Sequence, residues 1–209
     1  GPMDIVLVYP SFPFWRAEVS RLALYLGDVE FENRHPSRDE FRAAKSDGSL
    51  PFGQMPIMIV DGETIAQTGA IARFCGKLSG LYPADALAAA KVDQLIDAAT
   101  DITTKVSPTM RIQDEAAKMA ARSVLASDTL PTWFGYLEAL LPEGDDAFFV
   151  GDNMSIADLA IWRLMGWFTG GFLDGIPATV VEAFPRLMAH SERVGSHPKV
   201  SQWMKENYD

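Results

Sequence analysis

The chain has 209 residues, 48% of them apolar and 22% charged, with a formal net charge of −10. This is enough apolar material for one large core or two smaller ones around a shared interface. The acidic balance excludes nucleic acid as the main partner, because phosphate neutralisation needs clustered Lys and Arg. No run of about 18 apolar residues could span a bilayer, and no signal-like stretch follows Met3. The single cysteine, Cys75, rules out an internal disulfide framework, so the expected setting is the reducing cytosol. Gly1-Pro2 has the form of a protease-cleavage remnant and carries no fold information.

Ile5 to Tyr9 is a β-branched apolar run that predicts a buried strand, stopped by the two prolines of Pro10-Ser11-Phe12-Pro13. A helix is expected from Arg16 to Leu26, where Val19, Leu22, Ala23 and Leu26 recur at helical spacing and Glu18 sits early, as the helix dipole prefers. Val29 to Asn33 alternates as a strand should, and Asp39 to Lys45 reads as a short helix. Met55 to Val60 is a further strand, Asp61-Gly62 a hairpin-turn dipeptide, and Thr64-Ile65-Ala66 the returning strand. Gln67-Thr68 then opens a helix over Gly69 to Lys77. The order β-α-β-α-β-β-α is thioredoxin-like, a mixed sheet with helices on both faces.

The proline-interrupted stretch Leu81 to Asp85 marks a domain boundary, giving an α/β domain over 3–82 and an all-helical domain over 86–209. Ala86 to about Ser107 carries Val92, Leu95, Ile96, Ala99 and Ile102 on one side, and Asp114 to Leu141 continues in the same style past Pro131. Ser155 stands three residues before Asp158, the capping-box spacing. The helix that follows, Ile156 to about Gly166, is apolar almost all round and belongs in the middle of a bundle, with Trp162 and Met165 in its core.

A thioredoxin-like half followed by a helical half resembles the glutathione transferases, and local motifs sharpen the likeness. Pro51-Phe52-Gly53-Gln54-Met55-Pro56, Val60-Asp61-Gly62, Gln67-Thr68 and Ala70-Ile71-Ala72-Arg73-Phe74 look like the glutathione-binding stretch of the sigma class, which includes the glutathione-dependent prostaglandin D synthases. Arg16-Ala17-Glu18, Asp93 to Asp101 and the Ser155/Asp158 box also fit, so the resemblance runs over nearly the whole chain. It implies a cytoplasmic, homodimeric detoxification enzyme that takes glutathione as co-substrate.

Glutathione is an extended tripeptide with a thiol, two carboxylates and an ammonium. By resemblance, a cis-proline at Met55-Pro56, after Gln54, turns the Met55 backbone outward to pair with the cysteinyl part as an added strand would. Gln67 and Thr68, at a helix N-terminus, hold the γ-glutamyl carboxylate. Lys45 meets the glycyl carboxylate, and Phe41 stands where the sigma class usually has tryptophan, keeping the apolar contact but losing an N–H donor. Asp101 matches an aspartate that reaches across a dimer interface to the neighbouring subunit's glutamyl ammonium. Asp97 and Asp101 share a helix face, but Thr100 stands where some prostaglandin synthases carry a third carboxylate, so no metal is expected.

A free thiol with a pKa of about 8.5 is only a few per cent thiolate at neutral pH, and the thiolate is the nucleophile. One hydrogen bond to a charged group contributes about 1.5 to 3 kcal/mol, roughly one to two pKa units, so a single hydroxyl suffices. Two candidates end the first strand: Tyr9, in the place of the sigma-class tyrosine, and Ser11, in the place of the serine of zeta- and theta-like enzymes. Counted back from Arg16 the loop length matches the zeta class, while the rest of the chain favours sigma. Arg16 supports the thiolate, or else holds the first helix through a salt bridge to Glu18 or Asp4. The second substrate, an apolar electrophile or a peroxide, is expected between the domains, against Phe12, Phe14 and Trp15 on one side and Thr104, Pro108, Met110 and Arg111 on the other. A domain-interface packing role is the alternative for Trp15 and Pro108. The rival function is a non-catalytic ligand- or partner-binding protein on the same fold.

Overall fold

The structure, a computed structural model, describes residues 1–144 and 146–209. Strand β1 (Ile5–Val8) lies at the centre of a four-stranded sheet ordered β2-β1-β3-β4, with β2 (Glu32–Arg34) parallel to it and β3 (Ile57–Val60) antiparallel; β4 (Glu63–Ala66) closes a hairpin on β3. The alternation of a strand explains why all four residues of β1 are apolar. Ile5 and Leu7 face the main core with Met58, whereas Val6 and Val8 join Leu50 and Ile57 in a smaller cluster on the other face. Asp61 and Gly62 both have positive φ (49° and 84°), the requirement of a type I′ hairpin turn.

Helices α1 (Trp15–Leu26) and α3 (Thr68–Ser79) pack together on the main-core side of the sheet, and α2 (Arg38–Asp47) covers the small cluster with Phe41 and Ala44. A Ser37/Glu40 capping box starts α2 three residues before Glu40, and Gly48 in the left-handed region (φ 82°) ends it. The second strand departs from expectation. It covers Glu32–Arg34 and not Val29–Asn33, because Val6, Leu7 and Val8 pair with Glu32, Asn33 and Arg34. Val29 and Phe31 instead pack partly buried against the main core.

The helical half begins with α4 (Ala86–Val106), capped by Asp85, followed by a 3-10 turn at Ser107–Arg111, α5 (Glu115–Val124), a π segment at Leu125–Thr129 and α6 (Leu130–Leu140). Pro131 is tolerated inside this run at the start of α6. Helix α7 (Ile156–Thr169) runs through the middle of the bundle, packed on α1, α4 and α8 (Pro185–Gly195), and α9 (Pro198–Tyr208) lies on α1. Met165 is in the core as expected, while Trp162 is only half-buried. Cys75 is fully buried, and burial pushes its thiol up to about 12, so it is no nucleophile at physiological pH. Among the described residues, no helix is long and apolar enough to cross a membrane.

Two buried polar links hold the halves together. Trp15, fully buried, donates its indole N–H to Thr103 Oγ1 at 2.7 Å, joining α1 to α4. Trp15 therefore packs the domain interface and does not line a substrate cleft. Glu18, also fully buried, accepts the Trp203 indole N–H at 2.8 Å, joining α1 to α9. Its Oε2 has no partner in hydrogen-bond geometry, and burial pushes the carboxyl's pKa up, an effect the nearby Tyr208 hydroxyl only partly offsets.

The capping box of α7 does more than start the helix. Asp158, fully buried, accepts from the backbone N–H groups of Ser155 and Phe149, both at 2.9 Å, and its Oδ1 lies 2.8 Å from His190 Nε2. Three segments thus depend on one carboxylate. We expect Asp158→Ala to destabilise the fold by at least about 3 kcal/mol, since charge-assisted hydrogen bonds contribute about 1.5–3 kcal/mol each and the freed donors stay buried. Thermal unfolding checks this; at roughly 2–4 °C per kcal/mol for a domain of this size, the midpoint should fall by about 6 °C or more.

Candidate functional site

The loop from Pro51 enters β3 through a cis Met55–Pro56 peptide bond. Pro56 is buried, and Met55 packs partly buried against the small cluster beside Phe41. Among the described residues no backbone hydrogen bond engages the Met55 N–H or C=O. Both are therefore available to an extended ligand that adds to the sheet as a strand. Next to it, α3 starts without a side-chain cap, leaving its first N–H groups open to an anion. Gln67, the residue before α3, holds φ 79° and ψ 122°. A non-glycine in that region costs about 1–3 kcal/mol, and such strain is characteristic of ligand sites.

These features open on one cleft of about 600 Å³, lined by Arg16, Phe52, Gln54, Met55, Pro56, Gln67, Thr68, Arg73, Ile96, Asp97 and Thr100 together with Ala66, Gly69 and Ala70. Sequence reading singled out Arg16, Gln54, Met55, Pro56, Gln67 and Thr68 for the site, and the fold brings all six together. It missed Arg73, whose guanidinium lies over the first turn of α3, 3.2 Å from where a Cβ on Gly69 would sit, and 3.9 Å from the Asp93 carboxylate. A cue existed, since Arg73 is five residues past the helix start. The cleft thus carries cations from α1 and α3 and a carboxylate from α4, which suits a ligand with two carboxylates and one ammonium.

The other expected ligands lie at its margins. Lys45 is exposed on the last turn of α2, its Cε 3.7 Å from a Cβ position on Gly53, one residue from Gln54. Phe41 packs into the cluster beneath Met55 and is not a lining residue of the cleft. Asp101 is exposed on α4, one turn beyond Asp97 and outside the cleft. Among the described residues, no group of three or more His, Cys, Asp or Glu side chains could hold a metal ion.

Tyr9 follows β1 directly, its N–H donating to Arg34 C=O at 3.1 Å, and it is 7% exposed. Burial pushes its phenol above the ordinary value, while the Arg16 and Arg21 guanidiniums pull it back. At physiological pH it is a neutral O–H donor, as a thiolate partner must be. Ser11 is exposed in the loop beyond. Arg16 makes no salt bridge to Glu18 or Asp4; its guanidinium carbon lies 5.4 Å from the Phe14 ring centroid and the side chain faces the cleft.

Of the residues expected at a second-substrate site, Phe12 is 52% exposed with its ring edge-on to Tyr9 at 5.4 Å, and Phe14 stands edge-on to Trp167 at 5.0 Å. Thr104, Pro108, Met110 and Arg111 are exposed at the end of α4 and in the 3-10 turn. Pro108 is thus not part of the domain-interface packing. Thr104 donates its hydroxyl to Thr100 C=O at 2.8 Å, and Met110 Sδ lies 3.1 Å from Arg122 Nη2.

Comparison with known proteins bears on this geometry. The family model described as the glutathione S-transferase N-terminal domain matches residues 6–76, and that of the C-terminal domain matches residues 100–207. A probable glutathione S-transferase 7 of Caenorhabditis elegans is 28% identical over 191 residues, covering 90% of this chain and 89% of the relative. Prostaglandin synthase D of Nilaparvata lugens superposes with a TM-score of 0.86 at 25% identity over 99% of each chain. A glutathione S-transferase of Necator americanus, described as monomeric, superposes at 0.81 with 28% identity over 99% of this chain and 98% of its own. With the C-terminal model alone spanning more than half of it, the chain belongs to the glutathione S-transferase family, enzymes that take glutathione as co-substrate.

Proposed function

We propose that the chain is a sigma-like glutathione transferase in which Tyr9 donates its hydroxyl to the glutathione thiolate, readying it for attack on an apolar electrophile or peroxide. The observation that carries this reading is the convergence on one cleft of Met55, whose backbone groups make no backbone hydrogen bond among the described residues, an uncapped helix start at Thr68 and charges of both signs. In this reading the cysteinyl part pairs with Met55, the γ-glutamyl carboxylate meets Gln67 and the α3 N-terminus, and Lys45 reaches the glycyl carboxylate from the Gly53 side. Arg16 adds positive potential near the sulfur. Phe12, Phe14, Thr104, Pro108, Met110 and Arg111 form the wall for the electrophile, an exposed apolar surface suited to a flat or extended substrate. The likeness to a prostaglandin synthase supports the sigma-like class, and the proposed setting is the cytosol. The reading includes a homodimer, in which Asp101 serves the neighbour's glutathione.

Conjugation of a chlorinated nitrobenzene tests it. Tyr9→Phe should lower kcat about 10- to 100-fold, the equivalent of one hydrogen bond to a charged group, and move the alkaline-activated limb of the pH profile up by about one to two units, while Ser11→Ala changes little. The sign follows from the chemistry: without the donor the bound thiol regains a pKa closer to its free value and ionises at higher pH. Unaltered activity in Tyr9→Phe with a loss in Ser11→Ala would transfer the role. Tight glutathione binding with no conjugation would favour the ligand-binding alternative.

The backbone strain at Gln67 gives a second prediction with opposite signs on stability and binding. Gln67→Gly should raise thermal stability by about 1 kcal/mol, because glycine adopts positive φ without penalty. It should also weaken glutathione binding about tenfold through loss of the side-chain contact. Calorimetric titration and thermal unfolding of the same variant read the two effects.

A further inference from the structure

The loop after β1 carries both candidate hydroxyls, yet it has little structure of its own. Two of its five residues from Tyr9 to Pro13 are prolines, which donate nothing, and among the described residues no backbone hydrogen bond joins two of the five, the local one running from Phe14 N–H to Phe12 C=O at 3.0 Å. Most of its carbonyls accept from two arginines outside it, with His35 Nδ1 also 2.9 Å from Tyr9 C=O. Arg21, on α1 and fully buried, donates from Nη2 to Tyr9 C=O at 3.3 Å and Pro10 C=O at 2.8 Å, and from Nη1 to Phe12 C=O at 3.1 Å. Its Nε donates to Asn33 Oδ1 at 3.0 Å, which fixes the plane of the fork. Arg163, on α7, donates from Nε to Pro13 C=O at 2.8 Å. Every carbonyl of the loop except that of Ser11 therefore rests on a guanidinium.

This is an expensive arrangement unless the loop must be held. Burying a guanidinium is costly, and its five donors in a fixed plane let Arg21 serve three carbonyls and the Asn33 amide oxygen at once, one partner more than an ammonium has donors. Glu18, one turn before Arg21 on α1, supplies negative charge at longer range than a contact pair and is itself anchored by Trp203 of α9. Trp203 is in turn packed by Tyr25 and Phe31, with ring centroids at 5.1 and 6.3 Å.

We propose that Arg21 and Arg163 are positioning residues that fix the loop carbonyls and thereby aim the hydroxyls of Tyr9 and Ser11 at the glutathione thiol. The proposal rests on the transferase reading above, but not on which of the two hydroxyls acts, since both ride on the clamped loop. Arg21 also lies 5.5 Å over the Tyr9 ring, so its removal withdraws a cation from the thiol's neighbourhood. The other charged or titratable groups facing Tyr9 are Arg16, from the start of α1, and His35, whose Nδ1 lies 2.9 Å from Tyr9 C=O.

The test uses the full chain and four variants, Arg21→Met, Arg21→Lys, Arg163→Met and Asn33→Ala. The last loosens the Arg21 fork without emptying the core, and so keeps the proposal falsifiable where Arg21→Met does not fold. Two readouts are needed: amide hydrogen exchange of the Tyr9–Trp15 segment, and the pH dependence of conjugation beside the glutathione Kd. In Arg21→Met, loop exchange should quicken about tenfold while the strands Ile57–Val60 and Glu63–Ala66 keep their wild-type protection. kcat should fall about tenfold and the pH profile shift up by about one unit, with Kd changed less than about threefold, because the cradle is held elsewhere. Arg163→Met and Asn33→Ala should act in the same direction and less strongly, and Arg21→Lys should recover part of the loss. Unchanged loop exchange in Arg21→Met and Asn33→Ala would overturn the clamp. A quickened loop with an unmoved pH profile would overturn its role in the chemistry. If the wild type binds glutathione and conjugates nothing, the transferase reading fails on its own, and loop exchange still decides the clamp.

Discussion

Helix α1 buries Trp15, Glu18 and Arg21 out of reach of solvent, and the elements around it are arranged to meet their polar groups. Trp15, Glu18 and Arg21 are all fully buried on it, and each finds its partner in a different element: α4, α9 and the loop after β1. A buried donor left without an acceptor costs about 1–3 kcal/mol, more if charged, so each of these bonds dictates where its partner element must lie. The two halves of the chain consequently meet with the loop that bears Tyr9 tied to both, to Arg21 of α1 and Arg163 of α7, while Arg16 of the same helix α1 lines the cleft.

In the proposed function the cleft and the loop divide the work by physical type. Recognition falls to backbone groups and a helix start, which are rigid because the sheet and α3 are packed beneath them, and which offer polarity without needing a buried charge. On that reading activation falls to the Tyr9 hydroxyl, a neutral donor whose pKa burial raises further and the Arg16 and Arg21 guanidiniums partly offset. Keeping the two functions on separate elements allows affinity for glutathione to be conserved while the reacting group is tuned, and the strain at Gln67 lies on the recognition side of that division.

Much of this was legible in the sequence, for local reasons. The α/β half and the helical half follow from period-two and helical spacing, the Asp61-Gly62 turn from its dipeptide, and the start of α7 from Ser155 and Asp158; the six cleft residues came with the resemblance. What escaped depends on long-range pairing. Val29 to Asn33 alternates as a strand, yet the register is chosen by β1, which pairs with the less apolar Glu32–Arg34. Arg21 looks like one more solvated helix charge, since nothing in its neighbours tells that carbonyls nine to twelve residues earlier will fold back onto it. Trp15 reads equally well as a cleft wall or a core residue until Thr103 is placed beside its indole N–H. Arg73 was inside a recognised motif, but its reach over the first turn of α3 is visible only in three dimensions.

The most direct test of the account is a crystal structure of the chain with glutathione. The account predicts the cysteinyl group paired with the Met55 backbone, the γ-glutamyl carboxylate on the N-terminus of α3, and the sulfur within about 3.2 Å of the Tyr9 hydroxyl. Glutathione bound away from the Met55–Thr68 cleft, or a sulfur pointing away from the loop after β1, would contradict it.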